Sequence, residues 1–229
     1  MYKSLSFLFF FLTFSSISIA QEAKDSVLHS RVSFNYQPTI TYRFLKASES
    51  QDAILLKNNL DSIESYDYGF SFGLNYRYTF KKHIGISLGV NYVSFREQTI
   101  NGSIDKFINY KTTNTYFSIP LNLIYISKLR KYTNFHISAG VSQCFLNTQY
   151  QRVYNSLKNE DVEFETSYDL KKSILLMQAG LGVNFRLNKK FSFTTEVVYT
   201  QSIGQMNNSD NLSKSIYSFG PNFMFGYSF

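Results

Sequence analysis

Between Tyr217 and Phe229 the odd positions read Tyr217, Phe219, Pro221, Phe223, Phe225, Tyr227 and Phe229. The even ones read Ser218, Gly220, Asn222, Met224, Gly226 and Ser228. A period of two, with one aromatic face and one small or polar face, is a strand signal, because side chains alternate along an extended chain and a helix would mix the two sets. The same alternation predicts seven further strands, over Val32 to Phe44, Tyr68 to Phe80, Ile84 to Tyr92, Thr115 to Tyr125, Phe135 to Phe145, Leu175 to Leu187 and Phe191 to Tyr199. Short links at Lys81-Lys82-His83, Lys128 to Lys131 and Asn188 to Lys190 dictate antiparallel hairpins. Longer polar segments separate the other strands: 47–67, with a local turn of helix at Ile54 to Leu56, then the stretch around Asn101-Gly102, then 151–172 and 206–213. Pro38, Pro120 and Pro221 fall inside strands, where each removes a ladder donor and predicts a bulge or gap.

Eight strands joined alternately by short and long links match the plan of an outer-membrane barrel, and a soluble sandwich is the competing use of such alternation. Composition and the first twenty residues favour the barrel. Aromatics make up 18% of the 229 residues against 17% charged. Met1-Tyr2-Lys3, an apolar run from Leu5 to Phe14 and small residues at Ser18 and Ala20 read as a signal peptide over residues 1–20, cleaved after Ala20. The run is too short to span a bilayer as a helix. Residues 21–31 read as a periplasmic lead-in and 32–229 as the barrel domain. The expected fold is therefore an all-β, eight-stranded antiparallel up-and-down transmembrane barrel in a Gram-negative outer membrane, with both termini periplasmic.

Charge and chemistry narrow the function. The net charge of +7 lacks a clustered basic stripe with a recognition motif, so no nucleic-acid partner is expected. Cys144 is the single cysteine, which excludes an internal disulfide. His29 and His83 have no metal spacing, and no cofactor or metal site is expected.

The stretches Gln37-Pro38-Thr39-Ile40-Thr41-Tyr42-Arg43 and Phe117-Ser118-Ile119-Pro120-Leu121, with the signal peptide and the closing Phe229, resemble the PorT-like outer-membrane β-barrel family. The resemblance implies that Phe229 is the assembly signal read by the barrel-assembly machinery, with periplasmic chaperones as partners during biogenesis. The family name derives from a member tied to protein secretion, and no residue here carries that role over.

An eight-stranded barrel is only wide enough for its own side chains. Parity places Arg43, Asn75, Arg77, Asn91, Asn122, His136, Asn184, Arg186 and Glu196 inside, which predicts a filled polar lumen and no conducting pore. Glu196 is the mid-strand carboxylate, and Arg77 and Arg186 are its ion-pair candidates, since a buried charge left alone is costly. His136-Ile137-Ser138 resembles the His-x-Ser pair of eight-stranded lipid A deacylases. Parity puts that pair inside the barrel at the short-link end, away from outer-leaflet lipid, so no catalytic residue is assigned. The expected function is non-enzymatic: the barrel sits in outer-membrane lipid and stabilises the envelope or engages a protein partner through its long external loops. A secretion-associated barrel and a lipid-modifying enzyme are the alternatives.

Overall fold

A computed structural model describes residues 30–81, 83–103, 106–130, 132–155, 160–165, 170–208 and 211–229. Its elements in chain order are β1 (Ser30–Ala47), α1 (Gln51–Ile63), β2 (Glu64–Lys81), β3 (Ile84–Ser103), β4 (Lys106–Arg130), β5 (Thr133–Asn155), β6 (Glu160–Glu165), β7 (Ser173–Arg186), β8 (Phe191–Ile203) and β9 (Leu212–Ser228). All pairings between strands are antiparallel. Because β4 pairs β5 and β1 pairs β9, eight strands close a ring in the order β1-β2-β3-β4-β5-β7-β8-β9. The short β6 stands outside that ring, paired with β5 from Tyr150 to Asn155.

The ring has a defined stagger. Stepping across paired neighbours from Arg31 through Arg77, Ser87, Asn122, Gly140, Gln178, Thr200 and Ser218 arrives at Thr41, ten residues further along the starting strand. Ten residues rise about 33 Å and eight strands have a girth of about 38 Å, so the strands tilt by about 40°. A barrel of that size encloses side chains and little else.

Alternation sorts these side chains as the sequence predicts. On β9, Ile216, Ser218, Gly220, Asn222, Met224 and Gly226 are buried while Phe219, Phe225, Tyr227 and Phe229 are exposed. Leu74, Leu88, Leu123 and Leu181 are likewise at least half exposed. The apolar surface faces outward because lipid, and not a protein core, is its solvent.

Four expectations need correction. Strand β1 begins at Ser30, so Arg31 belongs to the barrel and not to the lead-in. The signal peptide and residues 21–29 lie outside the described residues. The stretch 47–67 holds a 13-residue helix, α1, where only a turn was expected. The region around Asn101-Gly102 is not a loop, since β3 and β4 stay paired up to Ser103 and Lys106. Finally, 151–172 contains the end of β5 and all of β6. The charges of Glu160–Glu165 mask a strand whose side chains are all exposed.

The interior is layered. Along β3 the inward sequence runs Asn91, Val93, Phe95, Glu97; along β9 it runs Asn222, Ile216, Lys214; along β4 it runs Asn122, Tyr116, Asn114. A polar layer therefore fills the half near the short links. Above it Phe95, Tyr116, Cys144, Ile174, Leu176, Met206 and Ile216 form one buried apolar cluster. Charged residues return above that.

Candidate functional site

The polar layer is organised by Glu196, which β8 holds between Gly182 of β7 and Asn222 of β9. Ser138 donates a hydrogen bond to Oε1, Asn222 Nδ2 donates to Oε2 at 3.4 Å, and His136 Nε2 lies 3.6 Å from Oε1. Glycine makes the space. A Cβ on Gly180 would stand 2.0 Å from the Glu196 Oε1, and one on Gly182 would stand 2.7 Å from the His136 Cε1.

The groups that reach the Glu196 carboxylate directly are therefore Ser138, His136 and Asn222. Arg77, one of the two arginines expected, lines the same cavity and acts on the carboxylate through its charge, without an ion pair within 4 Å among the described residues. Arg186 pairs with Ser192, four residues along β8 from Glu196. That separation is about 13 Å along the strand, too far for contact. Parity told which face each residue occupies but not its height, and height decides contact.

Nor do His136 and Ser138 form a nucleophile relay. A general base must accept the hydroxyl proton, whereas here the hydroxyl donates to the carboxylate and the imidazole approaches that same oxygen. The cluster is a buried carboxylate with its charge distributed over neighbours.

Arg31 closes the lower end. Its Nη1 donates to Asn184 Oδ1 at 2.7 Å and its Nη2 to Thr194 Oγ1 at 2.9 Å, while Thr194 donates to Asn184 at 2.8 Å. Between Arg31 and the apolar cluster is a cavity of about 50 Å³ lined by Asn35, Asn75, Arg77, Asn91, Gln178 and Glu196 among others. Such a volume holds a few waters.

Above the apolar cluster, Glu97 receives Lys214 Nζ at 2.7 Å, Asn114 Nδ2 at 3.2 Å and Arg43 Nη1 at 3.5 Å. Arg43 is the inward residue expected. Glu97 was missed because past Tyr92 the inward positions of β3 turn apolar at Val93 and Phe95, so the polar-inside pattern is lost although the register is kept. Among the described residues no three His, Cys, Asp or Glu side chains gather as a metal set. Phe229 is exposed, and its N–H donates to the Ser30 carbonyl at 3.0 Å, tying the end of the chain to the start of β1.

Residues 14–208 match the family model described as the outer membrane protein beta-barrel domain. No curated protein matches the chain. Among solved structures, Neisserial surface protein A shares 14% identity over 87% of this chain and 97% of its own, with a TM-score of 0.48. OprG of Pseudomonas aeruginosa shares 16% over 88% and 96%, also at 0.48. The outer membrane protease OmpT of Escherichia coli shares 7% over 93% and 100%, at 0.47.

Proposed function

The chain belongs to the outer membrane protein beta-barrel domain family, and from that premise we propose that it is a sealed, non-conducting and non-enzymatic barrel whose work is done at its external rim. The observation that carries this reading is the buried apolar cluster across the lumen, where Met206 from the last loop packs with Phe95, Tyr116, Leu176 and Ile216. Apolar side chains in contact leave hydrated ions no path. They also separate the Glu196 cluster from anything approaching the long-loop end, which argues against its use on an outer-leaflet substrate. The rim itself carries α1, the β5–β6 hairpin and the loop before β9, and binding concentrates on such connections because the scaffold holds them still.

In this reading the termini are periplasmic, Phe229 is the residue that the assembly machinery recognises, and the rim stabilises the envelope or engages a partner. The finer PorT-like affiliation would make that partner part of a secretion apparatus.

Single-channel recording of the refolded protein in planar bilayers tests the proposal. No stepwise conductance is expected from the native chain, and Tyr116→Ala combined with Met206→Ala should open one. Stable conducting steps from the native chain would overturn it.

A further inference from the structure

The outward face of β3, β4 and β5 changes character just above its aromatic belt. Below, Phe70, Phe72, Tyr92 and Phe117 form one run of rings with centroids 5.4 to 6.2 Å apart. Above, the register lines up two rows of outward side chains. Arg96, Thr113 and Tyr150 lie side by side in one row, and Gln98, Lys111 and Arg152 in the next. All six donate hydrogen bonds and three are cations.

The extra residue Asn147 on β5 creates this alignment. Tyr116 pairs Leu146 while Thr115 pairs Thr148, so beyond the bulge Tyr150 and Arg152 share the outward face with Thr113 and Lys111. Arg96 is held over the Phe70 ring with its Cζ 5.8 Å from the centroid, so its guanidinium stays at the edge of the aromatic belt. Both Arg96 and Lys111 are exposed, and neither makes an ion pair among the described residues. Arg152 has one, with Asp161. The described residues of β4 include no carboxylate and Glu97 on β3 points inward, whereas β6 sets Glu165 beside Tyr150 and Glu163 beside Arg152, so the cations left without a carboxylate neighbour are Arg96 on β3 and Lys111 on β4.

We propose that the Arg96–Lys111 edge of this grid, away from β6, binds the phosphate groups of a phosphorylated lipid headgroup, whose acyl chains lie down the barrel over Phe70, Phe72, Tyr92 and Phe117. The site is continuous with the lipid-facing surface, so a ligand with chains below and phosphate above meets both halves without leaving the bilayer. Guanidinium suits phosphate because its fork of donors matches two oxygens at once. A headgroup lacking phosphate would leave the cations with water only. This inference rests on the membrane-barrel reading and adds the lipid class to it.

The test is thermal unfolding of the protein in phosphatidylcholine vesicles with and without bisphosphorylated lipid A, and with the same lipid A dephosphorylated. Phosphorylated lipid A should raise the unfolding midpoint by about 5 °C, as saturating ligand does for a chain of this size, and the dephosphorylated form should not. Arg96→Gln combined with Lys111→Gln should abolish the rise, whereas Lys189→Gln combined with Lys190→Gln at the opposite rim should keep it. An equal rise with both lipid A forms, or loss of the rise in the opposite-rim variant, overturns the proposal. So does an equal rise from inorganic phosphate in pure phosphatidylcholine, which would make the ligand phosphate and not lipid. Should the Arg96 variant fail to insert, native mass spectrometry of the wild-type barrel decides instead: retention of phosphorylated over dephosphorylated lipid A supports the site, and equal retention removes it. Failure to insert by the wild type would instead count against the barrel reading itself.

Discussion

Pro38 stands directly opposite Pro221 across the seam where the first and last strands close the ring. The ladder pairs Tyr36 with Phe223 and Ile40 with Phe219, and it is interrupted between them without a change of register. Even positions of β1 exchange hydrogen bonds with β9, as the Phe229 N–H to Ser30 carbonyl bond shows. Both missing donors therefore belong to one rung. A single rung is sacrificed where two separated prolines would have cost two. A second gap, between Leu88–Leu121 and Asn91–Ser118, surrounds Pro120.

Restoring that rung should stabilise the barrel. Pro38→Val or Pro221→Val supplies one donor to the carbonyl opposite, worth about 1 kcal/mol net, and unfolding in lipid vesicles should report a rise of that size. Gly220→Ala should do the reverse, because its Cβ would stand 2.0 Å from the Pro38 carbonyl oxygen and 3.0 Å from the Thr39 Cα, both backbone atoms. A loss above about 2 kcal/mol is expected, in the range of overpacking.

The Glu196 cluster yields a graded series. Glu196→Gln keeps an acceptor for Ser138 and should cost little, whereas Glu196→Ala leaves the half-buried Ser138 and the buried His136 and Asn222 without it and should cost about 2 to 4 kcal/mol. Gly180→Ala should resemble the alanine variant, since it displaces the same carboxylate oxygen. Equal stability of all three would mean that the cluster contributes nothing to the fold.

Much of this was legible from alternation alone, and the reason is physical. Where one face meets lipid and the other meets a crowded lumen, every residue of Tyr217 to Phe229 is constrained, and period two survives undisturbed. Beyond the belt the constraint lapses. Lys106–Arg130 and Thr133–Asn155 continue as strands for several residues past the belt, where Lys111 and Arg152, with Glu163 of β6, suit either face and leave no pattern. The interior contacts were unreadable for another reason: they join strands far apart in sequence. Glu97 meets Lys214 across 117 residues, and only the stagger of ten fixes which residues share a height. The bulge at Asn147 also inverts the face of Tyr150 and Arg152, so strict parity would have placed both inside.

The β5–β6 hairpin should loosen in acid. Arg152 Nε donates to both carboxylate oxygens of Asp161, at 2.8 and 3.0 Å, and this hydrogen bonding holds the Asp161 carboxyl below its ordinary 3.8. A depressed carboxyl stabilises the paired state fully above that ordinary value, and the contribution is lost as pH falls through the lowered one. Amide exchange at Val162 and Phe164 should therefore be constant from pH 7 to about 5 after correction for intrinsic rates, then show declining protection below about 4. Arg152→Gln should remove the acid dependence.

Orientation is open to direct labelling. In the Cys144→Ser background, Asn59→Cys places an accessible thiol on α1, and Lys189→Cys places one in the turn between β7 and β8. Both native side chains are exposed, so a membrane-impermeant maleimide reads sidedness and not burial. Intact cells should label the residue-59 variant within minutes and leave the residue-189 variant unlabelled until the outer membrane is permeabilised. The Asn188–Lys190 link is compact and can cross the bilayer last or not at all, while α1 and the β5–β6 hairpin belong with the longer segments that outer-membrane barrels carry on their external side. The reverse labelling pattern would put Arg96 and Lys111 in the periplasmic leaflet, and the phosphate they meet would then be that of a glycerophospholipid.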